Sequence, residues 1–471
     1  MASATTSPDN LSKVFKAYDV RGIVGEQLDE ELARAAGSAY VEVLGIDALV
    51  IGYDMRPSSP SLAGAFADGA TTAGADVTMI GLASTDQLYF ASGHLGLPGA
   101  MFTASHNPAQ YNGIKLCRAY AQPVGVESGL AEIRDRVAAV STGSTNGAGS
   151  TNGAGSTNGR TGAVGNLDVL QAYAAHLLSL APVTGRKLKV VVDAGNGMAG
   201  HTAPAVFDRL ADQVDMVPMY FELDGTFPNH EANPIEAANL VDLQKRVLAE
   251  RADIGLAFDG DADRCFLVDE RGELVSPSTL TALIAARELA KEPGSTIIYN
   301  LITSRAVPEI VTELGGTPVR TRVGHSYIKA EMAETDAIFG GEHSGHFYFR
   351  DFWRADSGML AALHAMAALA EADVPLSRLL EDYERYPLSG EINSTVEDQG
   401  AVLVALEKEY DARDGVTIDK LDGLSISHAD WAFNVRASNT EPLLRLNAEG
   451  KDESTMARVR DEALAIIRGG K

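Results

Sequence analysis

Strand-length apolar runs alternate with helix-length segments in three successive blocks, and this alternation limits the folds open to the chain more than any other feature. The first block runs from strand 47–54 through helix 61–74 to strand 76–82, then through helix 85–93 to strand 99–104. The second takes strand 188–193, helix 202–210, strand 214–220, helix 236–250 and strand 254–258. In the third, strands near 296–300, 318–323 and 337–339 are separated by helices. Strands joined in this way predict parallel sheets with right-handed crossovers. From about Tyr386 the pattern changes to strand pieces at 388–396, 424–427, 431–436 and 443–447, with helices near 401–413 and 454–468. The expected fold class is therefore α/β, with three similar domains of mixed or parallel sheet and a smaller C-terminal α+β domain.

One segment breaks the pattern. Residues 143–159 repeat Gly-Ser-Thr-Asn-Gly-Ala with a period of six. With no apolar side chain beyond alanine, burial cannot offset their ordering entropy, and a flexible insertion is expected. The expected boundaries are 1–142 for the first domain, 143–165 for the insertion, 166–268 and 269–385 for the next two domains, and 386–471 for the last.

Each block ends as a strand running into a polar loop: 103–108, 259–264 and 341–346. Ligands of parallel α/β sheets sit at the carboxyl ends of the strands, so the three loops are expected to face a common cleft. In the second loop Asp259, Asp261 and Asp263 alternate with Gly260 and Ala262. If the loop is extended, this spacing turns three carboxylates to one side, and hard oxygen ligands suit Mg²⁺. Arg264 adds a planar cation fit for a phosphate oxygen.

Ser105 stands where a strand enters a turn, followed by His106 and Pro108. Asn112-Gly113 reads as a hairpin turn that returns Lys115 toward the serine. Taken alone, Ser105 is either a nucleophile or a helix cap. The Gly-x-Ser-x-Gly elbow of hydrolases is absent, and a metal, Lys115 and Arg264 nearby favour phosphoryl chemistry. In the third loop Glu342 and Ser344 suit adjacent hydroxyls of a polyol, flanked by His343 and His346. Gly324-His325 and Ser304-Arg305 close other strands of that block. The tail adds Arg436-Ala-Ser438-Asn439-Thr440, a guanidinium, hydroxyls and turn amides that suit a phosphate dianion.

With these loops in order, the chain resembles the bacterial phosphomannomutase/phosphoglucomutases of the α-D-phosphohexomutase superfamily, from Phe15-Lys-Ala-Tyr-Asp-Val-Arg-Gly22 to the tail loop. The resemblance implies four domains around a central cleft. It also implies that Ser105 carries the phosphoryl group and that Asp259, Asp261 and Asp263 bind Mg²⁺ together with that phosphate. Lys115, Arg264 and Arg21 would lie near the transferring group. Glu342 and Ser344 would contact sugar hydroxyls, and Arg436, Ser438, Asn439 and Thr440 the non-reacting phosphate. His346 would exchange a proton with the sugar hydroxyl, and His325 would line the cleft. The implied substrates are hexose phosphates, mannose or glucose, with a hexose 1,6-bisphosphate as intermediate and activator. The Asn439 position is usually glycine in phosphoglucosamine mutases. One departure is Ile302, where some members carry lysine.

The formal charge of −25, spread so that acids exceed bases in every block, argues against nucleic acid or an anionic membrane as partner. Residues 359–370, the most apolar helical stretch, are too short to span a bilayer, and the N-terminus lacks a signal-like apolar run. Two cysteines, Cys117 and Cys265, make no disulfide framework and point to a reducing cytoplasm. A monomer or weak homodimer is expected. The rivals are a phosphoglucomutase or phosphoglucosamine mutase, a Mg²⁺-dependent sugar phosphatase and a non-catalytic sugar-phosphate sensor.

Overall fold

Residues 5–141, 160–437 and 443–469 are described by the computed structural model; the repeat at 143–159 and Ser438, Asn439 and Thr440 lie outside them. The chain forms two compact units, one of residues 1–275 with 345–376 and one of residues 276–344 with 377–471.

The first unit holds two sheets built on one plan. In the first, Ala48–Tyr53 pairs in parallel with Asp76–Leu82 and Gly99–Phe102. Helices Ser59–Thr72 and Thr85–Leu95 connect these strands, as the alternation predicted. The chain then reverses, and Tyr111–Arg118 runs antiparallel between Gly99–Phe102 and Val20–Ile23. The second sheet repeats this. Leu188–Asp193 pairs in parallel with Val214–Met219 and Ile254–Phe258, and Cys265–Asp269 returns antiparallel to the last. Both sheets are therefore mixed. Loops 103–110 and 259–264 are the turns at which each reversal occurs, at the carboxyl end of a parallel strand.

Two expectations change here. Asn112-Gly113 is not a turn; both residues lie inside strand Tyr111–Arg118. A Cβ on Gly113 would come within 2.5 Å of the Val20 carbonyl oxygen, so glycine serves close strand approach. The buried Asn112 side chain donates to Ser58 Oγ and Ser59 Oγ at 2.8 and 2.9 Å. The segment expected to be flexible also ends earlier than 165. Val164–Asn166 is an edge strand parallel to Asp76–Leu82, held by backbone bonds that an apolar pattern does not reveal.

Hairpin strands Phe347–Phe349 and Ala355–Asp356 also belong to the first unit, followed by helix Gly358–Glu371. Residues 358–370 of that helix are all buried, which explains its apolar composition. Each fully buried Leu or Phe contributes about 1.5–3 kcal/mol. No helix among the described residues is long and apolar enough to cross a membrane.

In the second unit Thr296–Asn300 pairs in parallel with Thr317–Thr321 and Phe339–Gly341. Its C-terminal sheet is antiparallel, ordered Leu388–Thr395, Leu443–Gly450, Trp431–Ala437, Leu424–His428 and Thr417–Asp419. Tyr410, Trp431, Phe433 and Leu446 form its core beneath helices Gln399–Asp411 and Glu453–Ile467. Asp398 and Asp452 cap these helices by accepting from the Ala401 and Thr455 amides, each cap contributing ~1 kcal/mol.

Candidate active site

Ser105 and the aspartate loop come from different sheets, yet Ser105 Oγ donates to Asp259 Oδ2 at 2.8 Å. Gly260 permits this approach, since a Cβ there would fall 2.4 Å from the Ser105 carbonyl oxygen. Ser105 has φ +49°, a left-handed conformation that costs a non-glycine residue about 1–3 kcal/mol. The surrounding bonds must hold it there.

The aspartate loop is a tight turn rather than an extended run. Ala262 N–H donates to the Asp259 carbonyl at 3.0 Å, and Ala262 sits at φ +59°. This curl, not simple alternation, brings one oxygen from each of Asp259, Asp261 and Asp263 within 4.8 Å of the others. Lys115 Nζ donates to Asp261 Oδ2 and Asp263 Oδ2, both at 2.7 Å. The reversed strand thus delivers Lys115 to the site although the turn lies elsewhere. Arg264 donates from Nε to Asp259 Oδ2 at 2.9 Å and from its backbone N–H to Oδ1 at 3.1 Å.

Burial and crowding set the ionisation of this cluster. Burial, reinforced by Asp263 and Asp261, raises Asp259 above the usual carboxylate range despite Arg264. Burial also acts to raise Asp261, but the Lys115 charge and hydrogen bond hold it well below that range. Burial opposes the Lys115 ammonium, and Asp261 and Asp263 outweigh it. The residues fit a divalent cation on a further ground: Asp261 Oδ1 and Asp263 Oδ1 are buried oxygens without a hydrogen-bond partner.

His346 bridges to Arg264 across one antiparallel pair, and its Nδ1 lies 3.0 Å from Asp356 Oδ2 and 3.8 Å from Asp263 Oδ1. Burial would lower its pKa, but Asp263 and Asp356 raise it above the ordinary histidine value. Arg21, on strand Val20–Ile23, donates to Asn107 Oδ1 in the serine loop and to Asp19 Oδ2, both at 2.5 Å. Ser105, the three aspartates, Lys115, Arg264, Arg21 and His346 therefore converge in the first unit.

The remaining candidates lie in the second unit. Glu342 follows strand Phe339–Gly341, and its Oε1 accepts from Asn300 Nδ2 at 3.1 Å and the Gly324 amide at 3.0 Å. Ser344 Oγ is 3.4 Å from Glu342 Oε2. His325 opens helix His325–Thr335. His343 turns to Ser278 Oγ at 3.2 Å, and burial lowers its pKa. Arg436 Nη2 lies 3.3 Å from Glu391 Oε2, while Arg445 Nη1 lies 3.3 Å from Glu391 Oε1.

Sequence reasoning missed several residues. Thr85, at the start of helix Thr85–Leu95, donates from Oγ1 to Asp261 Oδ2 at 2.5 Å across 176 positions. Asp356 orients His346. His106 Nδ1 is 3.3 Å from Ser105 Oγ, and burial with Arg264 and Arg21 nearby keeps that imidazole well below its usual pKa. Arg56 donates to the Ser105 carbonyl. The one local hint was Asp54-x-Arg56 at the end of a strand.

Four family profiles match the chain in order, described as phosphoglucomutase/phosphomannomutase alpha/beta/alpha domains I, II and III, at 12–143, 171–272 and 276–386, and the C-terminal domain at 391–466. A phosphomannomutase of Salmonella typhimurium is 40% identical over 459 residues, covering 96% of this chain and 98% of the relative. A Xanthomonas campestris protein named phosphohexose mutases is 39% identical over 461 residues, covering 97% and 99%. Among solved structures, a phosphoglucomutase/phosphomannomutase family protein of Burkholderia thailandensis superposes with a TM-score of 0.85 at 32% identity, over 100% of this chain and 99% of that one.

Proposed function

Because the chain belongs to the phosphoglucomutase/phosphomannomutase family, we propose that it interconverts hexose 1- and 6-phosphates by passing a phosphoryl group through Ser105. The observation that carries this is Ser105 Oγ at 2.8 Å from Asp259, within a cluster of three aspartates, Lys115 and Arg264. Positive charge from Lys115 and Arg264, with three carboxylates fit for a divalent cation, surrounds one hydroxyl, an arrangement that stabilises a transferring phosphoryl group.

In the proposed cycle, phosphoserine 105 gives its phosphoryl group to the free hydroxyl of a hexose monophosphate. The Ser105 Oγ–P bond breaks as the sugar O–P bond forms, and the hydroxyl proton passes to His346. Ser105 Oγ leaves as the alkoxide, its charge offset by Arg264 and Lys115, until the second transfer returns a phosphoryl group to it. Asp356 holds His346 Nδ1, which leaves Nε2 for that exchange. The resulting hexose 1,6-bisphosphate returns its other phosphate to Ser105, and His346 gives the proton back. Lys115 and Arg264 stabilise charge on the transferring group, and Arg21 holds the serine loop beside it. Asp259, Asp261 and Asp263 would hold Mg²⁺, which when bound offsets negative charge on the phosphoryl oxygens. Glu342 and Ser344 would bind sugar hydroxyls, with His325 lining the site. Arg436, with Ser438, Asn439 and Thr440, would grip the non-reacting phosphate.

Mannose phosphates are the preferred substrates in this proposal, because three full-length relatives at 38–40% identity are named phosphomannomutase. Glucose phosphates would be turned over as well. A cytoplasmic setting suits Cys117 and Cys265, both buried and neither in a disulfide. Incubation with mannose 1-phosphate, Mg²⁺ and a trace of hexose 1,6-bisphosphate should yield mannose 6-phosphate. Release of inorganic phosphate without mannose 6-phosphate would indicate a phosphatase and reject the mutase.

A further inference from the structure

Arg56 lies three residues beyond strand Ala48–Tyr53 and is 1% exposed. Its Nη1 donates to the carbonyls of Pro108 and Tyr111 at 2.9 and 3.0 Å. Its Nη2 donates to those of Ser105 and Asn107 at 2.9 and 2.6 Å. Its Nε is 3.3 Å from Asp54 Oδ2, and Asp54 Oδ1 accepts from Ser59 Oγ at 2.5 Å. The Phe227 ring covers the guanidinium at 5.1 Å. Gly225 lies so near that a Cβ there would come within 2.7 Å of Arg56 Cα.

A single planar fork therefore gathers three carbonyls of the loop that carries Ser105 and that of Tyr111, the first residue of the strand after it. Burying an arginine is costly, and this one is too enclosed to meet substrate. What its fixed donor geometry does is set the direction of the loop peptides. The Ser105 peptide is tied at both ends, by its N–H to Thr103 Oγ1 at 2.9 Å and by its carbonyl to Arg56. Those two bonds oppose the relaxation of φ +49° toward ordinary backbone.

We propose that Arg56 is a positioning residue for phosphoryl transfer: it holds Ser105 in its left-handed conformation and so aims Oγ at the aspartate loop. The inference rests on the mutase reading of Ser105. Lysine at this position keeps the charge but concentrates three donors on one nitrogen, so it cannot serve four carbonyls spread across a fork. Charge and geometry can thus be separated.

The test uses Arg56→Lys and Phe227→Leu in the full chain, with steady-state kinetics on mannose 1-phosphate and amide hydrogen exchange of residues 105–111. A misplacement of about 1 Å costs ~100-fold, so kcat of Arg56→Lys should fall about that much with KM within about threefold of wild type. Phe227→Leu, which leaves the fork but uncovers it, should lose roughly fivefold in kcat and speed exchange in the loop. A folded Arg56→Lys with kcat within twofold of wild type, or with its loss confined to KM, overturns the proposal. Should Arg56→Lys not fold, an unchanged kcat in Phe227→Leu overturns it instead. Wild-type protein without mutase turnover would reject the reaction, not the clamp; unchanged loop exchange in both variants would then reject the clamp.

Discussion

Ser105 and the three aspartates are buried, with the Lys115 side chain, at 17% exposure, reaching them from a more open position, whereas Arg436 and its counterion Glu391 are both partly exposed. Ser105 is 5% exposed and Asp259, Asp261 and Asp263 at most 1%, with Lys115, Arg264 and Thr85 spanning them. The Arg436 side chain keeps 14% exposure and shares the carboxylate of Glu391, itself 22% exposed, with Arg445. Under the proposed function, the difference separates two tasks. A transferring phosphoryl group gains most from dipoles and charges fixed in a low-dielectric setting before reaction. A phosphate that is only held can be exchanged for a carboxylate counterion at a site near water, and release matters as much as grip. The first region should therefore fail in kcat and the second in KM.

The largest expected effect lies in the buried region. Ser105→Ala should lower kcat by at least ~10³-fold in a coupled turnover assay while calorimetry still shows hexose phosphate binding. Retained activity would remove the nucleophile from the account. Gly260→Ala comes next. Its Cβ would press the Ser105 carbonyl at 2.4 Å, so kcat should drop about 10²-fold with little change in KM. An unaffected rate would mean that the spacing between the two loops is not critical.

Arg436→Met should do the reverse. It should raise KM for hexose 1-phosphate by ~10–100-fold with kcat within about threefold. A kcat defect of equal size would erase the contrast between the two regions.

The smallest effect probes the burial of the first region. Asp86, buried next to Thr85, which donates to the aspartate loop, accepts from Tyr173 and Ser357 hydroxyls at 2.7 Å and from Ser84. Burial pushes it up to about 7 despite these donors. An unfolded aspartate loses its proton near pH ~3.9, so the folded state binds the extra proton between about 4 and 7. Stability from this group is complete below that window and lost as pH rises through it. Relative to Asp86→Asn, the wild-type Tm should thus fall by a few degrees from pH 4 to 7. Parallel Tm curves for the two proteins would mean that Asp86 is ionised throughout.

The contrast between contiguous and assembled features also explains what the sequence could reveal. Asp259 to Arg264 and Thr103 to Pro108 were legible because each is an unbroken polar run after an apolar strand. The strand–helix alternation exposed the parallel strands for the same reason. The returning strands were not legible. Asn112-Gly113 carries a strong turn signal, yet in the fold it answers a steric demand from Val20, some 90 positions away. Convergence of the aspartates depends on Ala262 at φ +59°, which no local spacing announces. Arg56 and Thr85 reach the site across 49 and 176 positions, through packing that only the completed sheets create. Ser438, Asn439 and Thr440 remain a sequence-based proposal.

The most direct test of the central claim is a single turnover. Protein phosphorylated on Ser105 with labelled phosphate is mixed with excess mannose 6-phosphate and Mg²⁺, then quenched and separated. The label should leave Ser105 for mannose 1,6-bisphosphate and mannose phosphates. Label that stays on the serine, or appears as inorganic phosphate alone, would contradict phosphoryl transfer through Ser105 to the sugar.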